Sequence, residues 1–432
     1  MHELDERPRR AAAVVVQLPG VGDGELAESL VELRRLAKTL GIPVTTQLTQ
    51  KRAHFDPGAY VGTGKRAELK RLVDSGAVDT ILVDHEISPS QTRNLEKETG
   101  AEVFDRTFVI LEIFQRHAHS RAARAQVEIV RLQYLAPRLR EAGKGQGDRQ
   151  RGGIGGKGVG ESKVELDRRK IRDRIAELTL ELAALERERA TRRSRRQDMR
   201  RVALVGYTNA GKSTLMRALT GMDVLIEDRL FATLDTKTGA LVPDRAGGIE
   251  PPAAVKVLVS DTVGFIRALP PGLVASFKST LDEALEASLL VHVVDTADPS
   301  YERQIAVTTE VLAEIGAAAV PRLLLFNKLD RVGDEATQAA IATRLRDRWP
   351  DAVVMSAKRP ADVASLRDRL VGFFARECVE TELRVSYDRQ GLRGEIFGSC
   401  TVLEERCDDR GAVLRVRADA ATIARLRRLL QA

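Results

Sequence analysis

The stretch Gly206-Tyr207-Thr208-Asn209-Ala210-Gly211-Lys212-Ser213 fits the phosphate-cradling pattern G-x-x-x-x-G-K-[ST]. The residues before it, Arg201 to Val205, read as a short buried strand, and Thr214 to Leu219 read as a helix. The pattern requires this strand–loop–helix context. Backbone amides of such a loop point at phosphate oxygens, and the new helix adds the positive end of its dipole. Lys212 would reach the β- and γ-phosphates, and the Ser213 hydroxyl would ligate Mg2+.

Three further stretches follow in order. Asp261-Thr262-Val263-Gly264 comes after the apolar run Val255 to Val259. An Asp in that place holds Mg2+ through water, and Gly264 can bring its amide to a γ-phosphate because no side chain blocks it. Asn327-Lys328-Leu329-Asp330 follows Leu323 to Phe326. The Asp330 carboxylate accepts two hydrogen bonds, which suits guanine N1–H and the 2-amino group; adenine offers neither, so the motif selects GTP over ATP. Ser356-Ala357-Lys358 follows Ala352 to Met355 and would close over the base. Each stretch sits at the carboxyl end of a predicted strand, where ligands bind in an open α/β sheet. Between the first two lies Phe231-Ala232-Thr233-Leu234-Asp235. A threonine there could ligate Mg2+ with GTP bound and let go after hydrolysis, so switch I is assigned to Glu227–Thr238 and switch II to Asp261–Leu273. On these motifs the chain resembles the translation-factor-like GTPases, with Lys212 and Gly264 as the catalytic candidates.

Two positions refine that reading. Phe265 stands where the best-known GTPases carry a water-orienting glutamine. Phenylalanine cannot hydrogen-bond a water, so slow intrinsic hydrolysis is expected, with the missing group supplied elsewhere in the chain or by a partner. Asn209 is a candidate K+ ligand, by resemblance to hydrophobic-substituted GTPases in which an asparagine of this loop helps hold that ion.

The 432 residues suffice for two to four domains. Hydrophobic residues make up 43% and charged residues 30%, as in soluble globular proteins. No apolar run reaches membrane-spanning length; Leu289 to Val294 contains His292 and stops at Asp295. The N-terminus lacks a signal-peptide apolar core. Cys378, Cys400 and Cys407 lack metal-type spacing and read as reduced thiols of a cytoplasmic protein. The histidines form no zinc motif. From Arg116 to Arg201 there are 24 Lys and Arg against 12 Asp and Glu, a surplus of 12, while the whole chain carries +7. Charge concentrated in this way suits a nucleic-acid contact surface; a solvated helical face laced with ion pairs is the plainer alternative.

Residues 1–115 read as an N-terminal α/β domain with a parallel sheet. Its strands are Ala12–Leu18, Val44–Gln47, Thr80–Val83 and Glu102–Phe104, with helices over Glu25–Thr39, Ala67–Ser75 and from Ser88 onward. Ser88 is the expected N-cap and Pro89 the first helical residue. Gly62-Thr63-Gly64-Lys65 reads as a turn. Residues 108–142 form one long amphipathic pattern that Pro137 should kink or end. Residues 143–160 are rich in Gly, Lys and Arg; the letters of Gly153-x-Gly155-x-x-Gly158 match a dinucleotide fingerprint, but no strand precedes them, so a basic loop fits better. A helix resumes over 161–200. Residues 116–200 therefore read as a basic helical hairpin, residues 201–374 as a P-loop GTPase domain, and residues 375–432 as a small α+β C-terminal domain.

Beyond these motifs, the chain resembles the HflX-type GTPases along almost its whole length. Ser88-Pro89-Ser90-Gln91, Asp105-Arg106-Thr107, Gln126-Val127-Glu128, Leu132-Gln133-Tyr134, Pro137-Arg138-Leu139, Gly160-Glu161-Ser162 and Glu165 to Arg169 carry the resemblance, together with Phe231–Asp235 and Asp261–Phe265. The family usually has Pro where this chain has Val159, and often Thr-Gln where it has Ser162-Lys163; both departures fall in the loop. The resemblance implies a cytoplasmic, monomeric, ribosome-associated enzyme with Mg2+ as cofactor and GTP and GDP as ligands. It would bind the large ribosomal subunit in the GTP state and split or rescue 70S ribosomes under stress, with part of the population at the membrane left open. Arg138, Arg149, Arg151, Lys157, Lys163, Arg168 and Arg169 are the candidate ribosomal RNA contacts. A GTPase of ribosome assembly or RNA modification, and a GTP-regulated scaffold, are the alternatives.

Overall fold

The computed structural model describes residues 9–139, 163–194, 200–222, 230–231, 237–241, 257–270, 273, 283–376 and 378–431. The chain forms two compact units. The first takes in residues 1–188 with 228–235 and 268–279, and the second 189–227, 236–267 and 280–432.

The first unit opens with β1 (Ala11–Gln17), α1 (Asp23–Thr39), β2 (Val44–Lys51), α2 (Thr63–Asp74), β3 (Thr80–Val83), α3 (Pro89–Thr99) and β4 (Glu102–Asp105). The strands form a parallel sheet in the order β2-β1-β3-β4. β1 is buried along its entire length, as the run AAAVVVQ requires for a strand covered on both faces. Ser88 accepts from the Gln91 amide while Gln91 returns a bond to the Ser88 amide, completing a capping box with Pro89 in the first turn. The Gly62–Lys65 turn is the start of α2, with Gly62 as N-cap.

The continuous pattern over 108–142 resolves into two helices, which corrects the expectation of one. α4 (Arg106–His117) is capped by Asp105, and α5 (Arg121–Leu135) by Ser120, whose hydroxyl accepts from the Ala123 amide. The cap fixes Ser120 in an extended conformation, which an uninterrupted helix does not allow. Pro137 lies in a 3-10 turn just past the end of α5. α6 (Lys163–Ser194) runs back along α5. Ala125 and Ile129 pack on Leu178, and Arg121 and Glu128 pair with Glu181 and Arg174, as an antiparallel hairpin requires.

The second unit contains β5 (Arg200–Gly206), α7 (Lys212–Thr220), β6 (Lys237–Ala240), β7 (Val257–Asp261), β8 (Leu289–Asp295), α8 (Tyr301–Glu314), β9 (Arg322–Asn327), α9 (Glu335–Arg348), β10 (Val353–Val354) and α10 (Pro360–Ala375). The sheet order is β10-β9-β8-β5-β7-β6, parallel except for the edge strand β6. A core of Val202, Leu204, Leu215, Val259, Val291, Leu325, Leu366 and Phe374 lies beneath the strand ends. The C-terminal part is β11 (Cys378–Val385), α11 (Gly391–Ser399), β12 (Thr401–Asp408), β13 (Gly411–Asp419) and α12 (Ala420–Gln431), an antiparallel sheet in the order β11-β13-β12 with the two helices packed on it. No described helix is long and apolar enough to cross a membrane.

Candidate nucleotide-binding site

The loop between β5 and α7 contains the first motif. Gly206 has φ +144°, and a Cβ there would lie 2.2 Å from the Val293 carbonyl oxygen. Gly211 has φ +96° and has the Asn327 amide against its missing side chain. Asn209 also lies in the left-handed region, at φ +61°. The Lys212 ammonium is buried under the loop and donates to the carbonyls of Gly206 and Tyr207. Burial lowers it from 10.5 to about 8; Asp261 pulls the other way and Lys328 adds to the fall.

The second motif ends β7. The Ser213 hydroxyl donates to Asp261 Oδ2 at 2.6 Å. A hydroxyl and a carboxylate at this separation are hard oxygen donors, so the residues present fit Mg2+. Thr262 donates to the Leu204 carbonyl. A Cβ on Gly264 would lie 2.7 Å from Thr208 Cα and 3.0 Å from Lys212 Nζ, so only glycine brings its backbone this close to the loop. Phe265 is buried, and its backbone exchanges hydrogen bonds with Gly206 and Thr208. The ring at the glutamine position is therefore part of the core.

The loops of the third and fourth motifs are tied together by side chains. Asn327 donates to the Ala210 carbonyl and accepts from the Ala357 amide, so three loops meet on one amide group. Lys328, at φ +64°, donates to the Asn209 carbonyl and to Asp295. Leu329 is buried beneath. Ser356 donates to Asp330 at 2.6 Å, and Lys358 lies 3.7 Å from the same carboxylate. Burial pushes the Asp330 carboxyl up, but Ser356 and Lys358 outweigh it and hold it below the usual range. The pattern of motifs did not single out Asp295 and Asp362, which fix Lys328 and the Ser356 amide. Asp295 was legible as an acidic residue closing the apolar run of β8.

Phe231 of the stretch Phe231–Asp235 belongs to the first unit, where its ring packs on Phe114 of α4 with centroids 4.6 Å apart. Arg138 is engaged within the fold. Its guanidinium donates to the carbonyls of Tyr134 and Ile87 and to buried Asp105, and it stacks over the Tyr134 ring, so it braces the base of the helical arm. Arg168 and Arg169 are exposed on α6. Ala232, Thr233, Leu234, Asp235, Arg149, Arg151 and Lys157 lie outside the described residues, as does the Lys163 side chain.

Residues 27–115 match the family model described as GTP-binding GTPase N-terminal, 117–196 match GTP-binding GTPase Middle Region, and 201–328 match 50S ribosome-binding GTPase. A protein named GTPase HflX from Gluconacetobacter diazotrophicus is 51% identical over 98% of each chain. The chain belongs to the HflX family of GTPases. Its HflX relative from Escherichia coli is 36% identical over 94% of this chain and 93% of its own length. A GTP-binding protein of Sulfolobus solfataricus, solved in complex with GDP, is 24% identical and covers 84% of this chain and 99% of its own, with a TM-score of 0.44. Nucleotide motifs gathered at the strand ends of an HflX-family chain make it a GTPase.

Proposed function

We propose that this GTPase is a GTP-switched, ribosome-binding factor. The match of residues 201–328 to the 50S ribosome-binding GTPase model carries the reading. The Lys and Arg surplus over 116–201 supports it, because a basic hairpin can lie along ribosomal RNA. Arg149, Arg151, Lys157, Lys163, Arg168 and Arg169 are its proposed contacts. The division into an N-terminal domain, hairpin arm, GTPase domain and C-terminal domain belongs to the same reading.

In the site, Lys212 and the amides of the Gly206–Ser213 loop would bind the β- and γ-phosphates. Ser213, Thr233 and, through water, Asp261 would hold Mg2+, which neutralises phosphate charge when bound. Asn209 would help hold K+. Asp330 reads the guanine edge, with Asn327, Lys328, Ser356, Ala357 and Lys358 framing it. With Phe265 in the core, no side chain at that position orients the attacking water, so turnover is slow until the ribosome stimulates it. GTP then favours the form bound to the large subunit, and hydrolysis releases it. Splitting or rescue of 70S ribosomes under stress, by a cytoplasmic monomer, completes the proposal.

Co-sedimentation with large subunits, in a non-hydrolysable GTP analogue, in GDP and without nucleotide, tests it. Pelleting in the analogue and much less in GDP is expected, followed by 70S splitting in light scattering. Equal or no pelleting in all three states overturns the ribosome switch and leaves the GTPase standing.

A further inference from the structure

The C-terminal sheet leaves one edge open beside an apolar groove. β11 pairs with β13 alone among the described strands. Along β11, Val379, Thr381, Leu383 and Val385 share the face covered by helices, and Glu380, Glu382 and Arg384 share the other. Leu383 and Val385 are buried in one cluster with Ile423 and Leu426 of α12, whereas Val379 at the start of the strand is outside it. Val379 is left 51% exposed. Between β11 and α12 lies a groove of about 450 Å³, floored by Val379, Ile423 and Ala424 and rimmed by Arg427 and Arg428.

The charges on its rim are one-sided. On the open face of the sheet, Arg417 pairs with Glu380, Arg406 with Glu404, and Arg384 with Asp408. Arg427 instead donates to the neutral Thr381 hydroxyl. Neither Arg427 nor Arg428 meets a carboxylate among the described residues. An unpaired strand edge supplies main-chain donors and acceptors, and a floor of this kind takes apolar side chains on alternate positions.

We propose that β11 and α12 form a docking site for an extended, acidic segment of a partner protein, which adds to the sheet as a strand antiparallel or parallel to β11. Its groove-side residues alternate apolar with Glu or Asp, the apolar ones on Val379 and Ile423 and the acidic ones on Arg427 and Arg428. A protein segment fits better than RNA because the floor is aliphatic and the nearest aromatic ring is not part of it. This site is separate from the GTPase chemistry and does not depend on the ribosome reading.

The test uses the full chain and a fluorescein-labelled octapeptide in which Thr alternates with Val and Glu, so that Val and Glu share one face. The expected result is saturable anisotropy that Arg428→Glu weakens by roughly tenfold, two rim charges being involved. Val379→Asp should abolish it, and a peptide with Lys for Glu should not bind. Arg428 and Val379 are solvent-exposed, so an unchanged melting curve separates docking from folding defects. Absence of saturable binding overturns the proposal. So does binding that survives Val379→Asp, and displacement by oligouridylate with that same insensitivity would assign the rim to RNA.

Discussion

The Tyr207 hydroxyl accepts a hydrogen bond from the Arg267 amide at 2.9 Å, tying the Gly206–Ser213 loop to the segment just past Gly264. The backbones of Tyr207 and Phe265 also form a parallel bridge. Gly264 is held over Lys212 between these ties. Tyr207→Phe removes one neutral bond, of about 1 kcal/mol. The expected outcome is a fall in kcat of roughly fivefold with KM unchanged, since the loop amides remain. Steady-state GTP hydrolysis measures both; equal changes in kcat and KM would contradict a positioning role.

Gly264→Ala puts a methyl group into the Thr208 backbone and against Lys212. The loop must shift, so GTP turnover should fall by roughly a hundredfold, on the scale of a misplaced catalytic group. Fluorescent GDP titration alongside single-turnover hydrolysis separates lost chemistry from lost binding.

Burial places the Lys212 ammonium near 8, below its unfolded value of 10.5. The charged form is therefore a cost to the folded domain below pH 8. That cost is relieved as pH rises through 8 toward 10.5, so this residue makes stability rise with pH across the window. Phosphate favours the ammonium, so nucleotide binding above pH 8 should take up a proton. Affinity should fall by up to about tenfold per pH unit there. Calorimetry in buffers of different ionisation enthalpy counts the proton, and Lys212→Met should remove both the proton and the affinity.

Asp330→Asn replaces a double acceptor with a group that also donates. Xanthine carries a carbonyl where guanine has its 2-amino group, so preference should pass from GTP to XTP. Competition between the two nucleotides reads the switch; unchanged GTP preference would place base recognition elsewhere.

Arg138→Ala takes the cation from the buried Asp105 carboxylate, which keeps its bonds from Ile87, Phe108 and Tyr134, and is expected to cost about 3 kcal/mol. The melting temperature of the unit that holds Asp105 should move down, and Arg138→Lys should recover part of the loss. RNA affinity measured well below the melting temperature should change little.

Strand ends were legible because each motif closes an apolar run, and the Ser88 cap was legible because its bonds are local. The break at 118–120 was not, since Ile113, Phe114 and Val127 keep a helical spacing across it. Strand β6 was also missed. Its residues Lys-Thr-Gly-Ala show no apolar alternation, and Gly239 is there because Met222 and Thr220 fill the space a side chain would need. Arg138 reads as basic from its letter alone; its partners Ile87 and Asp105 come from far along the chain.

Phe231 stands only two residues before Thr233, at a left-handed φ of +60° and almost fully buried against Phe114. The ring contact pins this point of the chain to a helix more than a hundred residues upstream in sequence. Weakening it would release that point without altering any residue of the Gly206–Ser213 loop.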